Sequence, residues 1–171
     1  MKFLISIIIL SLTLTNCGFK PIYSSKNNNF EVIEILNKNK NKNSFEIEKI
    51  IMTLSNQEAL RKVKLELDYA QSIKTILKDT KGDPSKKKLS INVILIVKDD
   101  NDNVLANKSF GEEFNYVVQS DKFNMAQYED NIIQNLNNKI SNDIIFLLGT
   151  LKWLLKILKL LKKNLINKIF F

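Results

Sequence analysis

The side chain best placed to do chemistry is Cys17, the only cysteine in the chain. It follows an apolar run directly: Lys2 supplies a positive charge, and Phe3 to Leu14 are apolar apart from Ser6, Ser11 and Thr13. The run is short for a transmembrane helix and ends in small polar residues, which is the anatomy of a secretory signal over residues 1–16. A cysteine at this exit is where a bacterial signal is cut and the thiol acylated, by palmitate among other chains. Leu14 and Thr15 fit that pattern; Asn16 departs from it, since Gly, Ala or Ser usually stands there. The plainer alternative is an ordinary signal followed by a chance cysteine. Acylation of Cys17 would hold the mature chain on a lipid bilayer.

Other chemistry is narrowly bounded. The chain has no histidine, which removes His-based triads, His-ligated metal sites and a histidine pH switch. A single cysteine allows no intramolecular disulfide. A catalyst would have to rely on carboxylates, Lys, Ser or Tyr, and no carboxylate pair sits in a recognisable motif, so the expectation is no enzyme and no cofactor. The acidic stretch Asp99 to Asn103 invites a calcium loop, but Val104 stands where that loop needs Gly and Phe110 where it needs a bidentate Glu. A hairpin turn explains it better.

Two basic groups remain. Lys86, Lys87 and Lys88 lead into one apolar alternation, and Arg61, Lys62 and Lys64 into the one before it. Cations beside the apolar residues of a sheet suit a phosphorylated amphiphile, charge to phosphate and sheet to acyl chain. On the residues alone, a sheet edge guarded against aggregation by lysines is the favoured reading.

Charge is unevenly placed. From Cys17 to Gly149 the chain carries 19 basic and 18 acidic residues, so a basic nucleic-acid-binding body is not expected. Residues 150–171 hold six lysines and no acid. There Leu151, Leu154, Leu155, Leu158 and Leu165 share one helical face and Lys152, Lys156, Lys159 and Lys163 another, with Trp153, Ile157 and Leu160 widening the apolar side. Six lysines argue against spanning a bilayer, and a helix lying on an anionic membrane fits. Alternatives are an extension packed on the body or a partner, and a terminal extension without a role.

These groups need a scaffold. Residues 17–29 read as a tether, Phe30 to Leu36 as a strand, and the Asn37 to Asn43 alternation of Asn and Lys as a loop that cannot enter a core. Ile47, Ile50, Ile51 and Leu54 predict a helix over about 44–56, with Ser44 available as N-cap. Val63 to Tyr69, continued by Ile73 to Lys78, then Leu89 to Val97, then Val104 to Val118 alternate with period two and predict three antiparallel strands. Gly82 and Pro84 mark the first turn. Met125, Tyr128, Ile132, Leu136, Ile140, Ile144 and Leu147 make the stripe of a long helix, with Asn124 and Gln127 at capping-box spacing, Glu129 on the wet side and Gly149 as its stop. The expected fold is an α+β two-layer sandwich, β-α-β-β-β-α: two helices on one face of a mostly antiparallel four-stranded sheet. It forms a single domain over 17–149, followed by a basic amphipathic helix over 150–171.

With these elements in place, Cys17-Gly18-Phe19-Lys20-Pro21-Ile22-Tyr23 resembles the mature start of the LptE family of LPS-assembly lipoproteins, of alphaproteobacterial type. Phe114-Asn115-Tyr116, Tyr128-Glu129, Asn135-Leu136 and Ile144-Ile145 resemble that family's last strand and helix, and the element order matches its sandwich. The resemblance covers Cys17 to Leu148. It implies a non-enzymatic lipoprotein that plugs the outer-membrane β-barrel LptD, assists its assembly and binds lipopolysaccharide on its way to the cell surface. Gly18 lacks the Asp that retains lipoproteins at the inner membrane, which implies the outer membrane, facing the periplasm. Family contacts to lipopolysaccharide come from basic residues on the sheet; the candidates here are Lys86, Lys87, Lys88, Arg61 and Lys64. The other reading is a membrane-tethered periplasmic lipoprotein whose basic tail (Lys152, Trp153, Lys156, Lys159, Lys163) acts at the membrane surface.

Overall fold

The computed structural model describes residues 28–151 and the helical backbone of 152–169. A short apolar, β-branched run forms β1 (Glu31–Asn37), and period-two patterning produces β2 (Lys62–Lys78), β3 (Pro84–Lys98) and β4 (Val104–Val117). They form one sheet in sequence order, β1-β2-β3-β4. β1 runs parallel to β2 because helix α1 (Lys42–Leu54) carries the chain back between them; both remaining pairs are antiparallel. The long helix α2 (Lys122–Ile169) follows β4. Both helices pack on one face, giving the expected α+β two-layer sandwich.

The dry face is built from alternate residues. Val63, Leu65, Leu67 and Tyr69 of β2 and Leu89, Ile91, Val93, Leu95 and Val97 of β3 are buried. They meet Ile47 and Ile51 of α1 and Ile132, Leu136, Ile140, Ile144 and Leu148 of α2. Fully burying each such side chain contributes about 1.5–3 kcal/mol. Gly82, at φ +88°, supplies the left-handed residue of the β2–β3 turn, where a Cβ would be strained.

Several local expectations change. The N-cap of α1 is Asn41, whose side chain accepts the Ser44 N–H at 2.9 Å, while Ser44 Oγ accepts the Asn41 N–H at 2.9 Å: a reciprocal box one turn earlier than Ser44 alone suggests. The Asn/Lys run loops only over 38–41, since Asn37 ends β1 and Lys42 opens α1; Asn37 is buried and donates to Ser44 Oγ at 3.0 Å, so a polar residue does enter the interior once it finds a partner. At the start of α2, Asp121 rather than Asn124 accepts the free N–H groups, those of Phe123 (2.9 Å) and Asn124 (3.1 Å). Glu129 turns toward the sheet, because Tyr116 and Lys87 supply partners there. Phe114 shares the dry-face register yet stays 42% exposed, since β4 is an edge strand. Gly149 does not stop the helix, which continues to Ile169; with φ negative, it is tolerated as an interior glycine. The basic amphipathic segment is therefore the last part of α2 rather than a separate helix.

Candidate functional site

The sheet extends further than its helical cover at one end. β1 pairs with β2 only as far as Leu67. Beyond it, Asn39 reaches Asp68 (2.5 Å) and Asn43 reaches Gln71 (2.8 Å), closing the edge a little further. From Ser72 to Lys78 β2 is exposed, as is the turn that follows, in a hairpin twisted out past the core and bulged around Leu77. Ile73, Ile76 and Leu77 lie exposed here, with Phe114 and Val117 at the end of β4 and Phe123 at the start of α2.

The lysines of this end divide by face, as strand alternation requires. Lys86 and Lys88 share the open face with their cross-strand partners Val117 and Asn115. Lys87, paired with Tyr116, points to the helix side, and its Nζ lies 3.4 Å from Glu129 Oε1. The Tyr116 hydroxyl donates to the same oxygen at 2.5 Å, and burial together with the Glu129 charge raises the Tyr116 pKa. On the open face Lys88 pairs with Glu113 at 3.0 Å. Lys74 lies directly across the ladder from Lys88. Among the described residues, neither Lys74 nor Lys86 has a carboxylate within ion-pair distance. Like charges set opposite each other in a ladder are destabilising, and an anion placed between them relieves that cost.

Arg61 and Lys64 lie elsewhere. Lys64 is opposite Lys98, whereas Lys74 is opposite Lys88, ten residues or roughly 33 Å along the strands. Lys64 binds Asp102 in the β3–β4 turn at 2.8 Å, a bond that raises its pKa. Arg61 turns inward: its guanidinium donates to the Leu148 carbonyl of α2, and burial lowers its pKa. The five sequence candidates thus split between two ends of the sheet. Of them, only Lys86 and Lys88 combine an open-face position with exposed apolar neighbours, Leu77 and Val117. Cys17 lies outside the described residues, as do the side chains of Lys152, Trp153, Lys156, Lys159 and Lys163.

Reading the sequence alone missed Lys74 and the apolar residues around it. The signal available was the length of β2, whose extended segment runs on from Ile73 to Lys78 after the alternation has stopped at Tyr69. It also missed Asn137, fully buried in α2, which donates to Glu46 Oε2 at 2.9 Å and faces the Tyr69 hydroxyl at 3.4 Å. That network ties α1, α2 and β2 together. Burial, and then the Glu46 charge, raise the Tyr69 pKa, while the bond to Asn137 acts the other way. The Asp99 carboxylate is occupied within its own turn, accepting from Asn101 and Asn103 N–H groups at 2.9 and 2.8 Å. Among the described residues there is no group of three potential metal ligands, and no helix is long and apolar enough to cross a membrane.

No family model and no curated protein matches the sequence. Solved structures do match the fold. Rare lipoprotein B from Shewanella oneidensis aligns over 74% of this chain and 98% of its own, with a TM-score of 0.59 at 8% identity. Lipoprotein B from Nitrosomonas europaea aligns over 79% and 92%, with a TM-score of 0.59 at 12% identity. A minor lipoprotein from Acinetobacter baumannii aligns over 70% and 91%, with a TM-score of 0.52 at 8% identity. The chain therefore shares its sandwich fold with several bacterial lipoproteins.

Proposed function

We propose that this chain is an LptE-like lipoprotein of the outer membrane, anchored through an acylated Cys17 and facing the periplasm. It plugs an LptD-type β-barrel, assists its assembly and binds lipopolysaccharide in transit. The observation that carries the binding part is the uncovered end of the sheet, where Lys74 faces Lys88 beside Lys86 and the exposed Leu77 and Val117. Such a surface suits a ligand that joins phosphates to acyl chains, and it needs no bond-making chemistry. The Cys17 to Tyr23 motif and the shared fold support the assignment to this class of lipoprotein.

The test is binding of purified lipopolysaccharide by the mature chain carrying Cys17→Ser, so that the protein's own lipid is absent. Lys74→Glu and Lys86→Glu are each expected to weaken binding about tenfold, the scale of one charge-assisted contact. Lys62→Glu, at the far end, is expected to leave it unchanged. Equal loss in all three, or no loss in any, overturns the assignment of this surface.

A further inference from the structure

Both ends of the chain leave the body at one pole. The Glu31 N–H donates to the Arg61 carbonyl at 2.7 Å, Asn56 N–H to the Phe30 carbonyl at 3.0 Å, and Asn28 to the Leu54 carbonyl at 2.7 Å. Arg61 also binds the Leu148 carbonyl, so the incoming tether, the exit of α1 and the outgoing part of α2 are fastened together. The hairpin carrying Lys74 is at the opposite pole. At this one, α2 keeps its stripe buried through Leu148 and Leu151 and then continues as helix for another 18 residues, to Ile169. The spacing of the stripe carries on as Leu155 and Leu158, and four lysines follow a neighbouring line. The sheet that the stripe packs against ends near Arg61, so the apolar spacing outlasts its support.

We infer that residues 152–169 form a second membrane contact, a helix lying on the anionic leaflet that receives the Cys17 lipid. The inference rests on the anchored-lipoprotein reading only for the identity of that leaflet. Helix and tether share a pole, so one membrane can take both without the body turning. Ten residues separate Cys17 from Asn28, a reach of at most about 40 Å, so the lipid holds the tail close to its bilayer. Charge selects the occupant: residues 150–171 hold six lysines and no acid, which suits anionic headgroups, whereas six lysines over one bilayer-length segment do not suit a span. The body near this pole is mixed in charge, with Asp99, Asp100 and Asp102 beside Lys62, Lys64 and Lys98, so the attraction comes from the tail.

Trp153 is the only tryptophan in the chain and sits within this segment, so it reports directly. The full mature chain with Cys17→Ser is titrated with vesicles of phosphatidylglycerol and phosphatidylcholine, and separately with phosphatidylcholine alone. A blue shift of Trp153 emission with the anionic vesicles only, reversed at about 0.5 M salt where charges are screened, is expected. Replacing Lys152, Lys156, Lys159 and Lys163 by Gln together is expected to lower partitioning on the order of a hundredfold, with unchanged far-ultraviolet circular dichroism. An absent shift overturns the inference, as does an equal shift with neutral vesicles. A shift caused by a solubilised barrel but not by vesicles also overturns it, assigning the helix to a protein partner. Because this chain carries no lipid and meets no barrel, failure here leaves the plug reading standing, and loss of barrel association elsewhere leaves this one standing.

Discussion

Gly149 shows how a single residue can be misread from its type. A glycine after a long apolar stripe predicts a helix end, yet the helix runs through it, and a Cβ built there would have nothing within 4 Å. Gly149→Ala is therefore expected to stabilise the fold by up to about 1 kcal/mol, read as a higher urea midpoint at unchanged slope. Asn137 gives the opposite case, since a buried amide with Glu46 and Tyr69 as partners has no counterpart in an apolar periodicity. Asn137→Ala is expected to cost about 1–3 kcal/mol, because Glu46 and the Tyr69 hydroxyl lose a partner in a closed space. Glu66 supplies a pH dependence. Hydrogen bonds from Lys98 and Lys38 hold its carboxyl below the ordinary range, so it binds a proton less readily folded than unfolded. Its contribution is present above the unfolded carboxylate pKa and is lost as pH falls through the depressed folded one. The stability difference between the parent chain and Glu66→Gln should accordingly shrink below about pH 4, measured by denaturant unfolding at pH 3 and pH 6.

At the scale of elements, β2 and α2 matter most, and both outrun their neighbours. β2 has 17 residues against seven in β1, which leaves Ser72 to Lys78 as an uncovered edge. Lys74, Lys78 and the bulges near Leu77 guard that edge in the way natural sheets resist edge-to-edge pairing, while Lys74 also belongs to the proposed phosphate surface. One substitution separates the two roles. Lys74→Gln removes the cation but keeps a polar guard, so it should weaken lipopolysaccharide binding without raising aggregation measured by light scattering. Aggregation with intact binding would make Lys74 a guard only. The three longer strands and both helices were legible because apolar periods of two and 3.6 recur along them, whereas β1 showed only as a short apolar, β-branched run. Their ends were less so. Asn41 and Asp121 act through hydrogen bonds to particular N–H groups, and Ser44 and Asn124 offer the same chemistry a few residues away. The candidate site was half legible: Lys86 and Lys88 sit where a lysine run beside a strand suggests, whereas Arg61 was drawn inward by the Leu148 carbonyl, a contact 87 residues distant in sequence.

As a whole molecule the chain has two dissimilar poles on one sandwich. Tether and tail leave from the Arg61 pole, and the lysine-rich hairpin stands at the other, about 50 Å away along the 15-residue β3. A protein held by a lipid at one pole would present the proposed lipopolysaccharide surface away from its own membrane contact, where a barrel lumen could receive it. The balanced charge of the body between Cys17 and Gly149 agrees with a domain that leaves membrane binding to its ends. A body that works inside a barrel must be recoverable together with that barrel. Tagged full-length chain is purified from detergent-solubilised envelopes and its partners are identified by mass spectrometry, with the Cys17→Ser chain alongside. A large outer-membrane β-barrel protein should co-purify at near-equal stoichiometry with the acylated chain. Recovery of the chain without any barrel, from envelopes in which such a barrel is abundant, would mean that it is not a barrel plug.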